Sequence, residues 1–82
     1  MGETRRAIDY YQQQLDITRA IGDRRGEGNA LWNTSLALDV LGRRAEAIAH
    51  AEAALRIFEQ VESLVADSAR RQLAEWRGPA EA

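Results

Sequence analysis

Apolar side chains recur along most of this chain at intervals of three and four residues, the period of one helical face. The clearest stretch covers residues 29–57, where two such patterns are separated by Gly42 and Arg43. Glycine can adopt the left-handed conformation that ends a helix. A connection of two residues makes the two helices antiparallel neighbours. The pattern therefore predicts a packed helical hairpin.

Small side chains mark the predicted seam of this hairpin, where they allow close approach of the two helices. They are Ser35, Ala37, Ala47, Ala51 and Ala54. Larger side chains complete the seam at Leu31, Thr34, Leu38, Leu41, Ile48, Leu55 and Phe58. Ala53 is placed on the outer side of the second helix. Enlarging Ala47 or Ala54 is therefore expected to overpack the seam, whereas Ala53 should tolerate a larger side chain.

The same periodicity predicts an all-α chain of four helices, at about residues 3–21, 24–41, 44–60 and 64–77. Helix-ending and helix-capping residues stand between them: Gly22, Asp23, Gly42, Ser63 and the pair Gly78-Pro79. Gly26 and Gly28 are expected to let the second helix approach the first closely. We expect one domain over residues 1–78 and a disordered tail over residues 79–82.

Composition excludes several classes of function. All eleven basic residues are Arg, and with thirteen acidic residues they give a net charge of −2, whereas a dedicated nucleic-acid-binding protein is normally basic. No apolar run approaches the roughly 18 residues of a membrane span, and the N-terminal residues carry no apolar leader. We expect a cytoplasmic protein that binds neither membrane nor nucleic acid. Arg without Lys, beside abundant Ala, indicates a bacterial source.

Residues suited to catalysis are scarce. His50 is the single histidine and cysteine is absent, so no Ser-His-acid or Cys-His arrangement is possible. The glycines of residues 22–28 lack the strand and the Lys of a phosphate-binding loop. The sequence therefore predicts no enzyme, no metal site and no cofactor, and His50 is expected to be an ordinary, partly exposed helix residue.

The hairpin carries a family resemblance. It resembles a tetratricopeptide repeat (TPR), and within that family the longer bacterial variety that is similar to the repeats of kinesin light chains. The matching residues are Asn29, Ala30, Leu31, Asn33, Ala37, Leu41, Gly42, Ala47, Ile48, Ala54, Leu55 and Ile57. The chain departs from the family at Thr34-Ser35, where Leu-Gly is usual, at Leu38, where Tyr is usual, and at Ala51, where an aromatic residue is usual.

Part of the pattern recurs at an offset of 40 residues. Gly2 then falls on Gly42, and the following residues also coincide: Ala7 with Ala47, Ile8 with Ile48, Leu15 with Leu55 and Ile17 with Ile57. The first helix thus looks like the second helix of an earlier repeat. The resemblance implies a right-handed α-solenoid fragment of about one and a half repeats, with the fourth helix as its cap.

The resemblance also implies a function, a scaffold that binds a protein or peptide partner without chemistry. The face of the second helix turned away from the seam would be the concave surface of the array, with Asn29, Trp32, Asn33, Leu36 and Val40 as the groove. In the family, an Asn matching Asn33 commonly contacts the backbone of a bound extended peptide. The alternative is that the fourth helix or a second chain covers this face.

Self-association is the rival hypothesis. The first helix carries the stripe Ile8, Tyr11, Leu15 and Thr18, which would normally pack against a helix that this chain does not contain. Its flank, Tyr10, Ile17 and Ile21, is expected to pack on the second helix. A homodimer formed through Ile8, Tyr11 and Leu15 would cover the stripe. A further alternative is that the chain is the C-terminal fragment of a larger TPR-containing signalling protein.

Overall fold

The computed structural model of the protein describes residues 2–61 and 63–78, and of residues 63–65 it describes the backbone alone. Within these residues the chain forms four α-helices: α1 (Gly2–Ile21), α2 (Arg24–Val40), α3 (Arg44–Val61) and α4 (Ser63–Arg77). No strand occurs in the described ranges. The prediction of an all-α chain of four helices is confirmed. The predicted tail, residues 79–82, lies outside the described residues.

Glycine ends α1 and α2 in the same way. Gly22 and Gly42 have φ angles of +76° and +79°, a conformation without a Cβ clash for glycine. After each glycine, Asp23 or Arg43 donates its backbone N–H to a carbonyl five residues earlier, at 2.8 and 2.9 Å, as in a Schellman motif. The Asp23 carboxylate caps α2 by accepting from the Gly26 N–H at 2.9 Å. Both predicted turns are confirmed.

The antiparallel pair α2 and α3 contains most of the core. Its small-residue seam is confirmed, since no surface remains exposed on Ser35, Ala47, Ala51 and Ala54. Ile57 and Phe58 of α3 are buried as well, at 5% and 1% exposure. Ile48 and Leu55 are half-buried, and Leu55 packs against the core. The expectation for Ala53 was wrong, since Ala53 is half-buried against the core instead of facing outward.

The two glycines at the start of α2 lie against different helices, which corrects the expectation that both face α1. A Cβ at Gly26 would lie 2.7 Å from Cγ2 of Thr18 in α1, whereas a Cβ at Gly28 would lie 2.7 Å from Cε1 of Phe58 in α3. Positions two apart on a helix point about 200° from each other. Gly26 and Gly28 therefore allow α2 to lie close to a helix on each side.

The packing of α1 on α2 reverses the predicted roles of its two faces. Leu15 and Thr18 are buried beneath α2, while the flank that was expected to pack there is exposed: Tyr10 by 56%, Ile17 by 51% and Ile21 by 71%. The turn explains the difference. The N–H of Asp23 bonds to the carbonyl of Thr18, so the start of α2 lies over the face of α1 that carries Thr18.

α4 covers the outer side of α3. Its buried side chains, among those described, are Ala66, Ala69 and Leu73. Arg70 donates to Glu59 of α3 at 2.6 Å, and Arg77 pairs with Glu52. The hydrogen bond with Glu59 raises the pKa of the Arg70 guanidinium above its ordinary value.

Candidate functional site

α2 lies between α1 and α3, and one strip of its surface stays uncovered. The strip consists of Asn29, Asn33, Leu36 and Val40, four of the five residues predicted for the groove. Their spacings of four, three and four residues place them on one helical face. Val40 is 74% exposed and Leu36 is 38% exposed, while Asn29 is exposed and Asn33 is half-buried.

α1 supplies a wall beside this strip. Near its N-terminus a cavity of about 320 Å³ is lined by Glu3, Thr4, Ala7, Tyr11, Asn33, Leu36, Ala37 and Val40. Toward the α1–α2 turn a second cavity, of about 280 Å³, is lined by Tyr10, Tyr11, Gln14, Thr18, Asp23, Gly26, Asn29, Ala30 and Asn33. Tyr11 and Asn33 line both cavities. The two cavities are thus neighbours on one side of α1 and α2, and together they are called here the α1–α2 groove.

The α1–α2 groove combines amide and apolar chemistry. Asn29, Asn33 and Gln14 each offer a carbonyl acceptor and an NH₂ donor, and within the described residues these amides make no hydrogen bond to the chain itself. Leu36 and Val40 provide an apolar end. Such a surface matches an extended peptide, whose backbone presents both donors and acceptors and whose side chains need apolar contacts.

Trp32, the fifth predicted groove residue, does not line the groove. Its indole stacks on that of Trp76 in α4, with ring centroids 6.3 Å apart and planes inclined by 25°. The guanidinium of Arg44 lies 5.8 Å from the centre of the Trp76 ring and bonds to Asp39 at 2.7 Å. The fourth helix thus covers the Trp32 side of α2. Asn29, at the edge of the strip, remains exposed.

A third cavity, of about 320 Å³, opens on the opposite side between α1, α2 and α3. Its lining includes Ile8, Thr34, Leu38 and His50. The Nδ1 atom of His50 lies 2.9 Å from the carbonyl oxygen of Glu46, one turn earlier in the same helix. His50 is thus a half-buried helix residue whose ring forms a hydrogen bond with the backbone of the same helix. Among the described residues no group of His, Cys, Asp or Glu side chains could hold a metal ion.

Comparison with known proteins decides the family. The family model described as tetratricopeptide repeat matches residues 1–60, which include α1, α2 and nearly all of α3. The chain belongs to the tetratricopeptide repeat family. No curated protein and no solved structure matched it. TPR domains in general mediate protein–protein interaction and are not catalytic. No helix in the described part of this TPR chain is long and apolar enough to cross a membrane.

The residues proposed for self-association do not form one open surface in the TPR chain. Leu15 is 5% exposed and belongs to the core with Ala30 and Leu31. Tyr11 is half-buried on the wall of the α1–α2 groove, and Ile8 lines the third cavity. The reason is the turn geometry described above, which directs this face of α1 onto α2.

The predicted groove included no residue of α1, although Tyr10, Tyr11 and Gln14 line it. Tyr10 was assigned to the flank that packs on α2. The rings of Tyr10 and Tyr11 meet edge to face at 5.8 Å. A usable signal was present, because Tyr10, Gln14, Ile17 and Ile21 recur at spacings of four, three and four.

Proposed function

We propose that this TPR chain is a protein–protein interaction module that binds a peptide segment or a partner helix in the α1–α2 groove and performs no chemistry. Asn33 carries the proposal. It lies where the two cavities meet, it is half-buried, and its amide is not used within the described chain. An amide in that position is suited to bond the backbone of a ligand whatever the ligand's sequence.

The apolar residues beside Asn33 support the same proposal. Leu36 and Val40 keep exposed surface at one end of the groove, where they can receive an apolar side chain of the ligand. Apolar side chains that become buried at the centre of a contact are typical of protein interfaces. A bacterial, cytoplasmic setting, as expected from the sequence, belongs to this proposal.

Peptides selected from a displayed random library provide the test. A peptide that binds the wild-type chain is titrated by calorimetry against Asn33→Ala, Leu36→Glu and the control Ala49→Glu, which changes an exposed residue of α3. Loss of a buried hydrogen-bonding partner costs about 1–3 kcal/mol, so Asn33→Ala should weaken binding by about 5- to 150-fold. Leu36→Glu should abolish binding.

The control decides how the titrations are interpreted. Ala49→Glu alters net charge as Leu36→Glu does but lies outside the groove, so it should leave affinity within about twofold of wild type. The proposal would be refuted if Ala49→Glu and Leu36→Glu weakened peptide binding equally. It would also be refuted if the selected peptides bound Asn33→Ala and Leu36→Glu as tightly as the wild-type chain.

Self-association is a second candidate function. The observation that favours it is the exposed apolar flank of α1, with Ile17 and Ile21 each more than half exposed. A chain of this size gains only about 3–5 kcal/mol from its own core, so covering this flank would add substantially to its stability.

A further inference from the structure

One carboxylate stands at the edge of the α1–α2 groove. Of the eight described residues that line the cavity near the N-terminus of α1, Glu3 alone is charged. In the neighbouring cavity the one charged residue among those described is Asp23, and its carboxylate already accepts from the Gly26 N–H at 2.9 Å. Glu3 is therefore the charged group that a ligand of the groove would meet.

The arginines of the chain lie elsewhere. The chain has eleven of them, and within the described residues none lines either cavity of the groove. Arg5 lines the third cavity, on the opposite side, and Arg19 and Arg24 both pair with Glu27 at 3.0 Å. The charge of the groove lining is thus negative, which favours a ligand that brings positive charge.

The wall beside Glu3 is apolar. The N-terminus of α1 lies next to the C-terminal end of α2, so Glu3 shares its cavity with Leu36 and Val40. An aliphatic side chain placed there would remove water from Glu3 without giving its carboxylate a partner, which is unfavourable. Lysine and arginine combine a long apolar stem with a charged head. Such a side chain matches both the apolar wall and the carboxylate.

The position of Asn33 sets the length that this side chain needs. Val40 follows Asn33 by seven residues, which corresponds to about 10 Å along the axis of α2. A ligand backbone that is bonded by the Asn33 amide lies some distance from Glu3, at the far end of the cavity. Only a long side chain can extend from that backbone along Leu36 and Val40 toward the carboxylate.

We propose that the ligand of the α1–α2 groove is a basic peptide segment, which places one lysine or arginine side chain in the cavity near the N-terminus of α1. The stem of that side chain lies on Leu36 and Val40, and its charged head pairs with Glu3. This inference rests on the proposed function, because it adds the chemical class of the ligand to peptide binding in the groove. An acidic residue at the same place is rejected by Glu3.

Paired peptides test the charge. A peptide selected with the wild-type chain from the random library is synthesised with its basic residue, with norleucine, which keeps the apolar stem without the charge, and with glutamate. Calorimetry should show that norleucine weakens binding to the wild-type chain by about 1.5- to 5-fold, the range of an exposed ion pair. Glutamate should weaken binding further.

Variants of Glu3 identify the group that recognises the charge. Glu3→Gln should remove the preference for the basic peptide over the norleucine peptide, and Glu3→Lys should make the glutamate peptide bind better than the basic one. The control Asp16→Asn changes net charge as Glu3→Gln does, at an exposed position of α1 outside the groove lining. It should keep the wild-type preference.

The preference is a ratio of two affinities for one variant, which separates recognition from helix stability. Glu3 lies in the first turn of α1, where a carboxylate also stabilises the helix, but a less stable α1 would weaken both peptides equally. Selected peptides without lysine or arginine, or a preference that survives Glu3→Gln, overturn the inference. If such peptides still lose affinity on Asn33→Ala, only the ligand class is wrong. If they are indifferent to Asn33→Ala, the proposed function fails, and the ligand class fails with it.

Discussion

Gly28→Ala tests the close approach of α2 to α3 against a simple expectation from helix propensity. Replacing glycine by alanine inside a helix normally stabilises it by about 1 kcal/mol. At Gly28 the new Cβ would lie 2.7 Å from Cε1 and 3.1 Å from Cδ1 of Phe58, and 3.1 Å from Cγ2 of Ile57. Phe58 is 1% exposed, so its ring has no free space into which it can move.

The magnitude follows from two opposing effects. Forcing a methyl group into a filled core costs about 1–3 kcal/mol, and the propensity gain of about 1 kcal/mol offsets part of it. Gly28→Ala should therefore lower the free energy of unfolding by about 1 kcal/mol, or about 4–8 °C in melting temperature for a domain of this length. Because dimerisation would also change stability, all variants are compared at one protein concentration.

A double-mutant cycle separates these effects. Phe58→Leu removes the ring edge that the new methyl group would meet, so in that background Gly28→Ala should become neutral or stabilising, with a coupling of about 1–3 kcal/mol. Urea unfolding followed by circular dichroism measures all four corners. If Gly28→Ala stabilises the wild-type chain, or if the coupling is below about 0.5 kcal/mol, then α2 does not lie against the Phe58 ring as described.

Two further predictions concern the seam and the cap. Ala54→Leu should destabilise the chain by about 1–3 kcal/mol because Ala54 is completely buried. The control Ala49→Leu, at an exposed position, should cost little. Equal melting temperatures of the two variants would show that the seam is misassigned. Trp76→Ala should cost about 2 kcal/mol by removing the half-buried ring that stacks on Trp32, and Trp76→Phe should cost less. Hydrogen exchange should show the loss of protection in Trp76→Ala confined to α4, and uniform loss along the chain would contradict this.

The sequence predicted the structural features that depend on residues adjacent in the chain. Gly22, Asp23 and Gly42 encode their turns through local chemistry, because only a few residue types cap a helix or adopt a left-handed backbone conformation. The alanine seam was likewise predictable, since Ala47 and Ala54 repeat at helical spacing beside a two-residue turn. Family resemblance added the strip on α2, and four of its residues were found from the sequence.

The sequence did not predict which face of a helix is buried where this depends on the rotation of the helix about its own axis. The apolar stripe of α1 is broad, and a rotation of about 100°, one residue, exchanges Tyr10 with Tyr11. Periodicity alone cannot choose between these faces. Trp32 raised the same difficulty, because its ring lies at the border between the groove strip and the α4 side. The stacking with Trp76 brings together residues 44 apart in sequence, and no local pattern indicates such a contact.

The position of the α1–α2 groove links binding to stability. The buried side chains of α1, Leu15 and Thr18, pack against α2, and in a repeat array each unit is stabilised by its neighbours. A ligand seated between Tyr11 of α1 and Asn33 of α2 contacts both helices and binds the folded state alone. By mass action it must then raise the free energy needed to separate α1 from the array. Peptide binding in the α1–α2 groove should therefore increase the hydrogen-exchange protection of α1.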